Sequence, residues 1–299
     1  MKLCASDLFL LSQCAISAAY QAGCIITKHA CYPVSVNSKK GGSSLASQMV
    51  TEVDYLCQDI ILQALMPTCA VYDLALLTEE SPDSLARLEK DFFWCIDPLD
   101  GTLPFIESTP GYAVSIALVA RDGTPYIGVV YDPLEKTLYH AVKGCGAFRN
   151  GNPWILGHVL AAHEHFLTFI TDRSFAKHSL FLAVLTELKS ISTAMGYAGV
   201  KTILHGGAAM NACWALENSP ACYFKFPKPE EGGGSLWDYA ATACLFTEVG
   251  AVVSDIEGKS LDLNRSDSTF MNHRGVLYAS DQGIAREIIS IFQAIKVLK

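Results

Sequence analysis

The spacing of hydrophobic and polar positions predicts helices at the start of this chain. Residues 1–26 place apolar side chains at helical intervals and interrupt them with Asp7, Ser12 and Gln13, which predicts an amphipathic helix and not a signal peptide. A second helix is predicted from about Gln48 through the segment TEVDYLCQDIILQAL. The segments VYDLALLTEE and DFFWCID then read as strands, and both end in acidic residues.

The remaining pattern divides the chain into two parts. Strand-like segments with turn signals at residues 122–123 and 150–151 fill the rest of the first part, which predicts helices packed on an antiparallel sheet. From about residue 160, strand-like and helix-like segments alternate, which predicts a second sheet covered by helices. We therefore expect a mixed α and β chain (α+β) with an N-terminal part, 1–155, and a C-terminal part, 156–299.

Composition narrows the class of protein. With 51% hydrophobic and 17% charged residues in 299, the chain is typical of a globular protein. Its formal charge of -8, without a basic run, argues against a nucleic acid polymer as partner. Eleven cysteines without a C-x-x-C pair favour a reducing, cytoplasmic environment. Because no stretch of about twenty apolar residues is uninterrupted, no membrane span is expected.

Four acidic residues supply candidate chemistry. Glu79, Asp97 and Asp100 end predicted strands, and Asp238 lies near the start of a strongly apolar predicted helix. Taken alone, Asp238 reads as a favourable N-terminal helix charge, and D-P-L-D-G reads as a turn. If these carboxylates converge, their repulsion is tolerable only when they are protonated or bind cations. Oxygen ligands without sulfur or imidazole favour Mg2+, Mn2+ or Ca2+.

The residues that follow the acids suggest an anion beside the cations. Gly101 permits close backbone approach, and TLPFIE can begin a short helix with Pro104 in its first turn. Free N–H groups at such a start attract anions. A cation site next to an anion site suggests phosphate chemistry.

Six motifs together resemble the inositol monophosphatase superfamily. They are LTEES, WCIDPLDGT, YAVSIALV, GVVYDP, GCGAFRNG and SLWDYAATACLFTEVGAVVSD, in this order between about residues 45 and 280. Members of that superfamily are magnesium-dependent, lithium-sensitive phosphomonoesterases that act on inositol phosphates, bisphosphate nucleotides or sugar bisphosphates. The resemblance implies a layered αβαβα sandwich with the active site between the two parts, and a homodimer as in other members.

The resemblance also implies roles for individual residues. The metal ligands would be Glu79, Asp97, Asp100, Asp238 and the backbone carbonyl of Leu99. Two or three Mg2+ ions are implied, with Mn2+ as a substitute. Thr102 would hold the attacking water together with Glu79, and Asp54 would lie near an additional, weaker cation. The N–H groups of Gly101 and Thr102 would stabilise charge on the phosphate.

Substrate choice rests on fewer residues. The segment HGGAAMN suggests that Gly206, Gly207 and Ala208 approach the substrate, or that they merely let a strand and a helix pack closely. Inositol monophosphatases usually have a Glu before the W-D acid, and its best counterpart here is Lys225. A cation there favours a second phosphate and hence a 3'(2'),5'-bisphosphate nucleotidase, which converts adenosine 3',5'-bisphosphate to AMP and phosphate. If Lys225 and Lys228 belong to a solvated loop, that preference disappears.

Three alternatives therefore stay open. An inositol monophosphatase is the main one, followed by a sugar bisphosphatase and by a metal-binding regulatory protein without catalysis. A further hypothesis concerns the glycine- and serine-rich loop at 36–48, where Lys39 or Lys40 could act on a lid. An ordinary flexible surface loop explains that composition equally.

Overall fold

A computed structural model provides the structure of the protein. It describes residues 2–30, 36–38, 49–157 and 164–297. The side chains invoked by the lid hypothesis for the loop at 36–48 lie outside the described residues.

The chain begins with two long helices. The elements of this part are α1 (Ala5–His29), β1 (Val36–Ser38), β2 (Met49–Thr51) and α2 (Glu52–Tyr72). β1 and β2 pair as a small antiparallel ribbon. The hydroxyl of Thr51 accepts the N–H of Val53 and caps α2, so the helix begins at Glu52 and not near Gln48 as the pattern predicted. Since α2 extends to Tyr72, the following strand is also shorter than predicted.

A seven-stranded sheet forms the centre of the N-terminal part. Its strands are β3 (Ala75–Thr78), β4 (Phe92–Asp100), β5 (Ala113–Ala120), β6 (Pro125–Asp132), β7 (Thr137–Val142), β8 (Gly146–Arg149) and β9 (Asn152–Pro153). They lie side by side in chain order, and a short helix α3 (Thr102–Ile106) follows β4. The predicted antiparallel pairing is found from β4 to β9, whereas β3 runs parallel to β4. This parallel pair places the ends of both strands at the same edge of the sheet.

A five-stranded mixed sheet forms the centre of the C-terminal part. Its strands are β10 (Phe166–Ile170), β11 (Gly199–Ile203), β12 (Ala221–Lys225), β13 (Val252–Ser254) and β14 (Val276–Ala279), in the order β11-β10-β12-β14-β13. The helices of this part are α4 (Arg173–Ala176), α5 (Phe181–Ala194), α6 (Ala208–Glu217), α7 (Leu236–Val249) and α8 (Gln282–Val297).

Three hydrophobic cores hold these elements in layers. One lies between the two long N-terminal helices and the large sheet, where Trp94 packs. The second contains Phe93 and residues of α6 and α7, which lie between the two sheets. The third joins the outer face of the small sheet to α5 and α8 around Phe169. The predicted αβαβα sandwich is therefore confirmed, and the proposed boundary at residue 155 falls between β9 and β10.

The first helix combines an apolar composition with a buried face. Among the described helices, α1 alone is long and apolar enough to cross a membrane by length and composition. However, Leu11, Ala15 and Ile26 are fully buried in the core between α1, α2 and the large sheet. That packing accounts for the apolar stripe of an amphipathic helix.

The described cysteines are all free thiols, and the cytoplasmic location stays a prediction.

Candidate metal centre

A bulge in β4 brings Asp97 and Asp100 to one face of the large sheet. Asp97 pairs with Ser115, and Asp100 pairs with Ala113, so β4 has one residue more than β5 between these pairs. In a regular strand, side chains three residues apart point to opposite faces. The additional residue cancels this alternation and turns both carboxylates toward the helices between the sheets. Pro98 lies within the bulge, a position where a missing backbone N–H is tolerated.

The strand β3, which runs parallel to β4, places Glu79 next to the bulge that carries Asp97 and Asp100. The N–H of Glu79 donates to the carbonyl of Ile96 at 3.1 Å and continues the pairing of β3 with β4. Glu79 therefore lies beside Asp97, and the two side chains interact. Glu79, Asp97 and Asp100 thus lie near the ends of two neighbouring strands.

A helix start provides Asp238. Ser235 and Asp238 form a capping box at the beginning of α7, in which one carboxylate oxygen accepts the N–H of Ser235. The hydroxyl of Ser115, opposite Asp97 on β5, donates to the carbonyl of Trp237 at 3.0 Å. This bond fixes the first turn of α7 against the sheet, with Asp238 next to Asp97.

The start of α6 holds the fourth acid. The N–H groups of Ala208 and Ala209 donate to the two oxygens of Asp100 at 3.1 and 2.8 Å. A Cβ atom on Gly207 would lie 2.5 Å from the Asp100 carboxylate, so only glycine permits this approach. Gly207 and Ala208, predicted to contact substrate, thus orient a predicted metal ligand. Whether they also contact substrate stays a prediction.

The acids are close enough to repel one another strongly. Single oxygens of Asp97, Asp100 and Asp238 lie within 4.8 Å of one another. Burial and then repulsion from Glu79 raise the pKa of Asp97 well above its ordinary range. Burial and then Asp238 do the same to the pKa of Asp100, despite the two N–H donors and nearby Lys225. Burial and then Glu79 raise the pKa of Asp238 to about 6. At neutral pH this cluster requires protons or cations.

The donor set fits a hard divalent cation. The converging groups are carboxylates, with no thiolate or imidazole among the three that group together in the described residues. Carboxylate oxygens suit Mg2+ and Mn2+. We therefore conclude that Asp97, Asp100 and Asp238 have the chemistry and spacing to hold Mg2+, with Glu79 beside them.

Thr102 and Asp54 form a hydrogen-bonded unit at the edge of the cluster. Thr102 Oγ1 lies 3.2 Å from Asp54 Oδ1 and 3.3 Å from the carbonyl oxygen of Leu99. Asp54 is buried in the capping box of α2, where its other oxygen accepts the N–H and hydroxyl of Thr51. Gly101 precedes Thr102 with a φ of 83°, a left-handed conformation that favours glycine. The partners of Thr102 that the structure gives are Asp54 and Leu99, whereas the predicted pairing with Glu79 through a water stays untested.

The predicted substrate side contains an ion pair. Lys225 Nζ lies 2.8 Å from Asp172 Oδ2. The amide of Asn211 donates to Asp172 Oδ1 at 3.2 Å and to the carbonyl of Gly206 at 3.0 Å. Lys225 is thus neither part of a solvated loop nor an isolated cation.

Sequence reasoning missed some members of this site. The sequence does contain a local signal for the residues that orient Asp54 and Asp238. Each acid ends a T-x-x-D or S-x-x-D pattern, which is typical of a capping box that fixes one carboxylate oxygen at the start of a helix. Ala209 and Asp172 had no such signal, because their partners Asp100 and Lys225 come from distant parts of the chain.

Comparisons with known proteins identify the family and the fold. A family model for the inositol monophosphatase family matches residues 8–296. Human inositol monophosphatase 2 is 31% identical over 255 residues, which cover 84% of this chain and 82% of that protein. The 3'(2'),5'-bisphosphate nucleotidase CysQ of Salmonella typhimurium is 30% identical over 235 residues, which cover 75% and 82%. A solved structure of an IMPase/NADP phosphatase with Mg2+ and phosphate has a TM-score of 0.70 at 19% identity and covers 95% of both chains.

Proposed function

We propose, because this chain belongs to the inositol monophosphatase family and is therefore a phosphoric monoester hydrolase, that it uses Mg2+ to hydrolyse the phosphomonoester of a small hydroxyl-rich molecule such as an inositol phosphate. The observation that carries the proposal is the convergence of three carboxylates from β4 and α7 within 4.8 Å. Such mutual repulsion has a physical explanation when the acids hold cations.

The carboxylates would hold and orient the ions. When bound, Mg2+ neutralises the phosphate oxygens and makes a bound water more acidic. The two N–H donors from α6 fix the Asp100 oxygens, and Ser235 fixes Asp238, so both side chains are oriented in advance. This pre-arrangement reduces the entropy lost when the reacting groups come together.

Thr102 has the hydrogen bonding that suits a residue which orients the attacking water. Both neighbours of its hydroxyl, Asp54 Oδ1 and the Leu99 carbonyl, accept hydrogen bonds. The hydroxyl proton is therefore directed to one of them, which leaves the Thr102 oxygen lone pairs to accept a hydrogen bond from the water. Glu79, which interacts with Asp97, would accept the other hydrogen bond from the water and take up its proton as the water attacks.

The hydroxyl-rich leaving group is supported by the charge balance at Lys225. Its partner Asp172 neutralises the ammonium group, and two further carboxylates, Asp100 and Asp238, lie close by. A leaving group with hydroxyls can donate to Asp172 and accept from Lys225. A dianionic group would also encounter the Asp172 carboxylate.

A 3'(2'),5'-bisphosphate nucleotide is the second candidate. It is favoured by the two lysines on this side, since Lys228 is half-buried and close enough to Lys225 for their charges to interact. Lysine ammonium groups are common phosphate ligands.

The proposed activity is tested by measuring phosphate release from inositol 1-phosphate and adenosine 3',5'-bisphosphate with and without Mg2+. We expect Mg2+-dependent release, with the higher kcat/KM on inositol 1-phosphate. Chelation with EDTA should abolish release, and renewed Mg2+ should restore it. An absence of Mg2+-dependent hydrolysis across a panel of phosphomonoesters would contradict the proposal and favour a regulatory metal-binding protein.

Metal binding should also change the pH dependence of stability. The raised pKa of Asp238, from 3.8 to about 6, means that the metal-free folded chain binds more protons than the unfolded chain in this window. The free energy of unfolding without metal therefore falls as pH rises through the window, and the loss is complete above the folded pKa. The raised pKa values of Asp97 and Asp100 act in the same direction.

We expect Mg2+ to raise Tm more at pH 8 than at pH 5. At a hundred times Kd, binding stabilises a protein by about 2.7 kcal/mol, which corresponds to roughly 5 °C for a chain of this size. Differential scanning fluorimetry with Mg2+ or EDTA at both pH values measures the difference. An equal or larger Mg2+ effect at pH 5 would contradict the assignment of these acids as ligands.

A further inference from the structure

The ion pair of Asp172 and Lys225 lies at the boundary between the metal centre and solvent. Lys225 ends β12, and Asp172 immediately precedes α4. The side chains are 17% and 27% exposed, so a bound molecule can reach the pair. Lys225 is also close enough to Asp100 and Asp238 to lower the pKa of each carboxyl. The pair therefore belongs to the wall of the active site.

Neighbouring groups keep this pair in place. Asn211 bonds Asp172 Oδ1 and leaves the other oxygen to Lys225. The ammonium group also lies 5.6 Å from the ring centroid of Tyr239 and 5.9 Å from that of Tyr223. Burial favours the neutral amine, but Asp172 and Tyr239 together outweigh it, and the pKa of Lys225 is raised. A fixed pair of opposite charges thus lies beside the predicted metal ligands Asp100 and Asp238.

An ammonium group that is already paired is a poor receptor for a second phosphate. The phosphate would have to compete with Asp172 for Lys225 and would be repelled by that carboxylate. Hydroxyl groups avoid both effects, because they donate to the carboxylate and accept from the ammonium.

We propose that Asp172 sets the leaving-group specificity of the active site by neutralising Lys225, so that hydroxyl-rich leaving groups are preferred over leaving groups with a second phosphate. This inference rests on the proposed phosphomonoesterase function. It assigns Asp172 as the residue that decides between the two substrate classes, although Lys225 would be the group that contacts a second phosphate.

The test is the substitution Asp172→Asn. An asparagine retains the oxygen that accepts the Asn211 amide but removes the negative charge. Because Lys225 then becomes available for a charge-assisted hydrogen bond to the second phosphate, the ratio of kcat/KM for adenosine 3',5'-bisphosphate to that for inositol 1-phosphate should rise by about tenfold or more. A second substitution, Lys225→Gln, should abolish this gain in the Asp172→Asn background. A ratio within about twofold of the wild-type value would overturn the proposal.

Two further measurements keep the outcome decisive. Lys225→Met in the otherwise unchanged chain leaves Asp172 without its cationic partner, so the same ratio should fall below the wild-type value. This variant tests the proposal even if Asp172→Asn fails to fold. Asp73→Asn is the matched control, since it removes the carboxylate of a surface ion pair with Lys90 and should leave the ratio unchanged. Equal ratios in the Lys225→Met variant and wild type would contradict a role in specificity.

Calorimetry separates failure of this inference from failure of the proposed function. The Kd values of the same two compounds, measured with Mg2+ in the slowly hydrolysing Asp100→Asn chain with and without Asp172→Asn, compare specificity almost without turnover. A wild-type chain that binds but does not hydrolyse would contradict the proposed function, while the Kd ratio still decides the role of Asp172. Failure of Asp172→Asn to tighten the binding of adenosine 3',5'-bisphosphate in the Asp100→Asn chain would overturn the inference.

Discussion

Asp100→Asn is expected to lower kcat by about a thousandfold at saturating Mg2+ while leaving the fold intact. A metal ligand supplies several kcal/mol of transition-state stabilisation, and each 1.36 kcal/mol corresponds to a factor of ten in rate. The neutral amide keeps an oxygen for one of the N–H groups of Ala208 and Ala209 and leaves the other without this acceptor, while the loss of charge removes repulsion from the remaining acids. Activity should therefore be lost without loss of structure.

The thermal stability of Asp100→Asn distinguishes the loss of a metal ligand from general damage to the fold. Because burial and repulsion raise the pKa of Asp100, removing its charge relieves strain in the metal-free chain at neutral pH. The Tm of Asp100→Asn in EDTA should thus equal or exceed that of wild type, and the Mg2+-induced rise in Tm should shrink. Asp132→Asn is the matched control, because this buried carboxylate accepts two N–H groups in a turn at the end of β6. Near-normal turnover of Asp100→Asn at saturating Mg2+ would contradict the assignment.

Gly207→Ala is expected to lower kcat/KM by about a hundredfold. The added Cβ would lie 2.5 Å from Asp100 Oδ2, and ordinary van der Waals separation requires a displacement of about 1 Å. A displacement of this size in a reacting geometry costs roughly a hundredfold in rate. The Mg2+ concentration for half-maximal activity should rise as well, since Asp100 is the group displaced.

The control for this substitution is Gly157→Ala. No atom of the described residues lies within 4 Å of the position that its Cβ would take, so activity should not change. If Gly207→Ala retained wild-type kcat/KM and Mg2+ dependence, Gly207 would not be needed to orient Asp100, and the close approach would be a matter of packing alone.

The layers and the acids of the site could be predicted from the sequence because each has a local signal. Helical and strand periodicity indicated the order of elements, and the D-P-L-D-G sequence indicated an irregular strand end. The bulge that turns Asp97 and Asp100 to one face depends on pairing with β5, which local sequence does not specify. The start of α2 was misplaced because the capping threonine, Thr51, was read as helix interior.

The substrate side could be predicted less well for a physical reason. Lys225 was recognised as a cation, and this favoured a second phosphate. Its charge balance, however, depends on Asp172, which lies far away in sequence and reaches Lys225 only because β10 and β12 are adjacent and parallel. Whether a site attracts or repels a second phosphate depends on all charges near it, so the identity of one residue cannot determine this preference.

The most direct test of the central claim is a crystal structure with Mn2+, whose anomalous scattering locates the ion. The account predicts an anomalous peak within about 2.0–2.5 Å of carboxylate oxygens from Asp97, Asp100 and Asp238, with Glu79 beside it. A fully occupied Mn2+ site elsewhere, or these acids turned away from one another at saturating Mn2+, would contradict it.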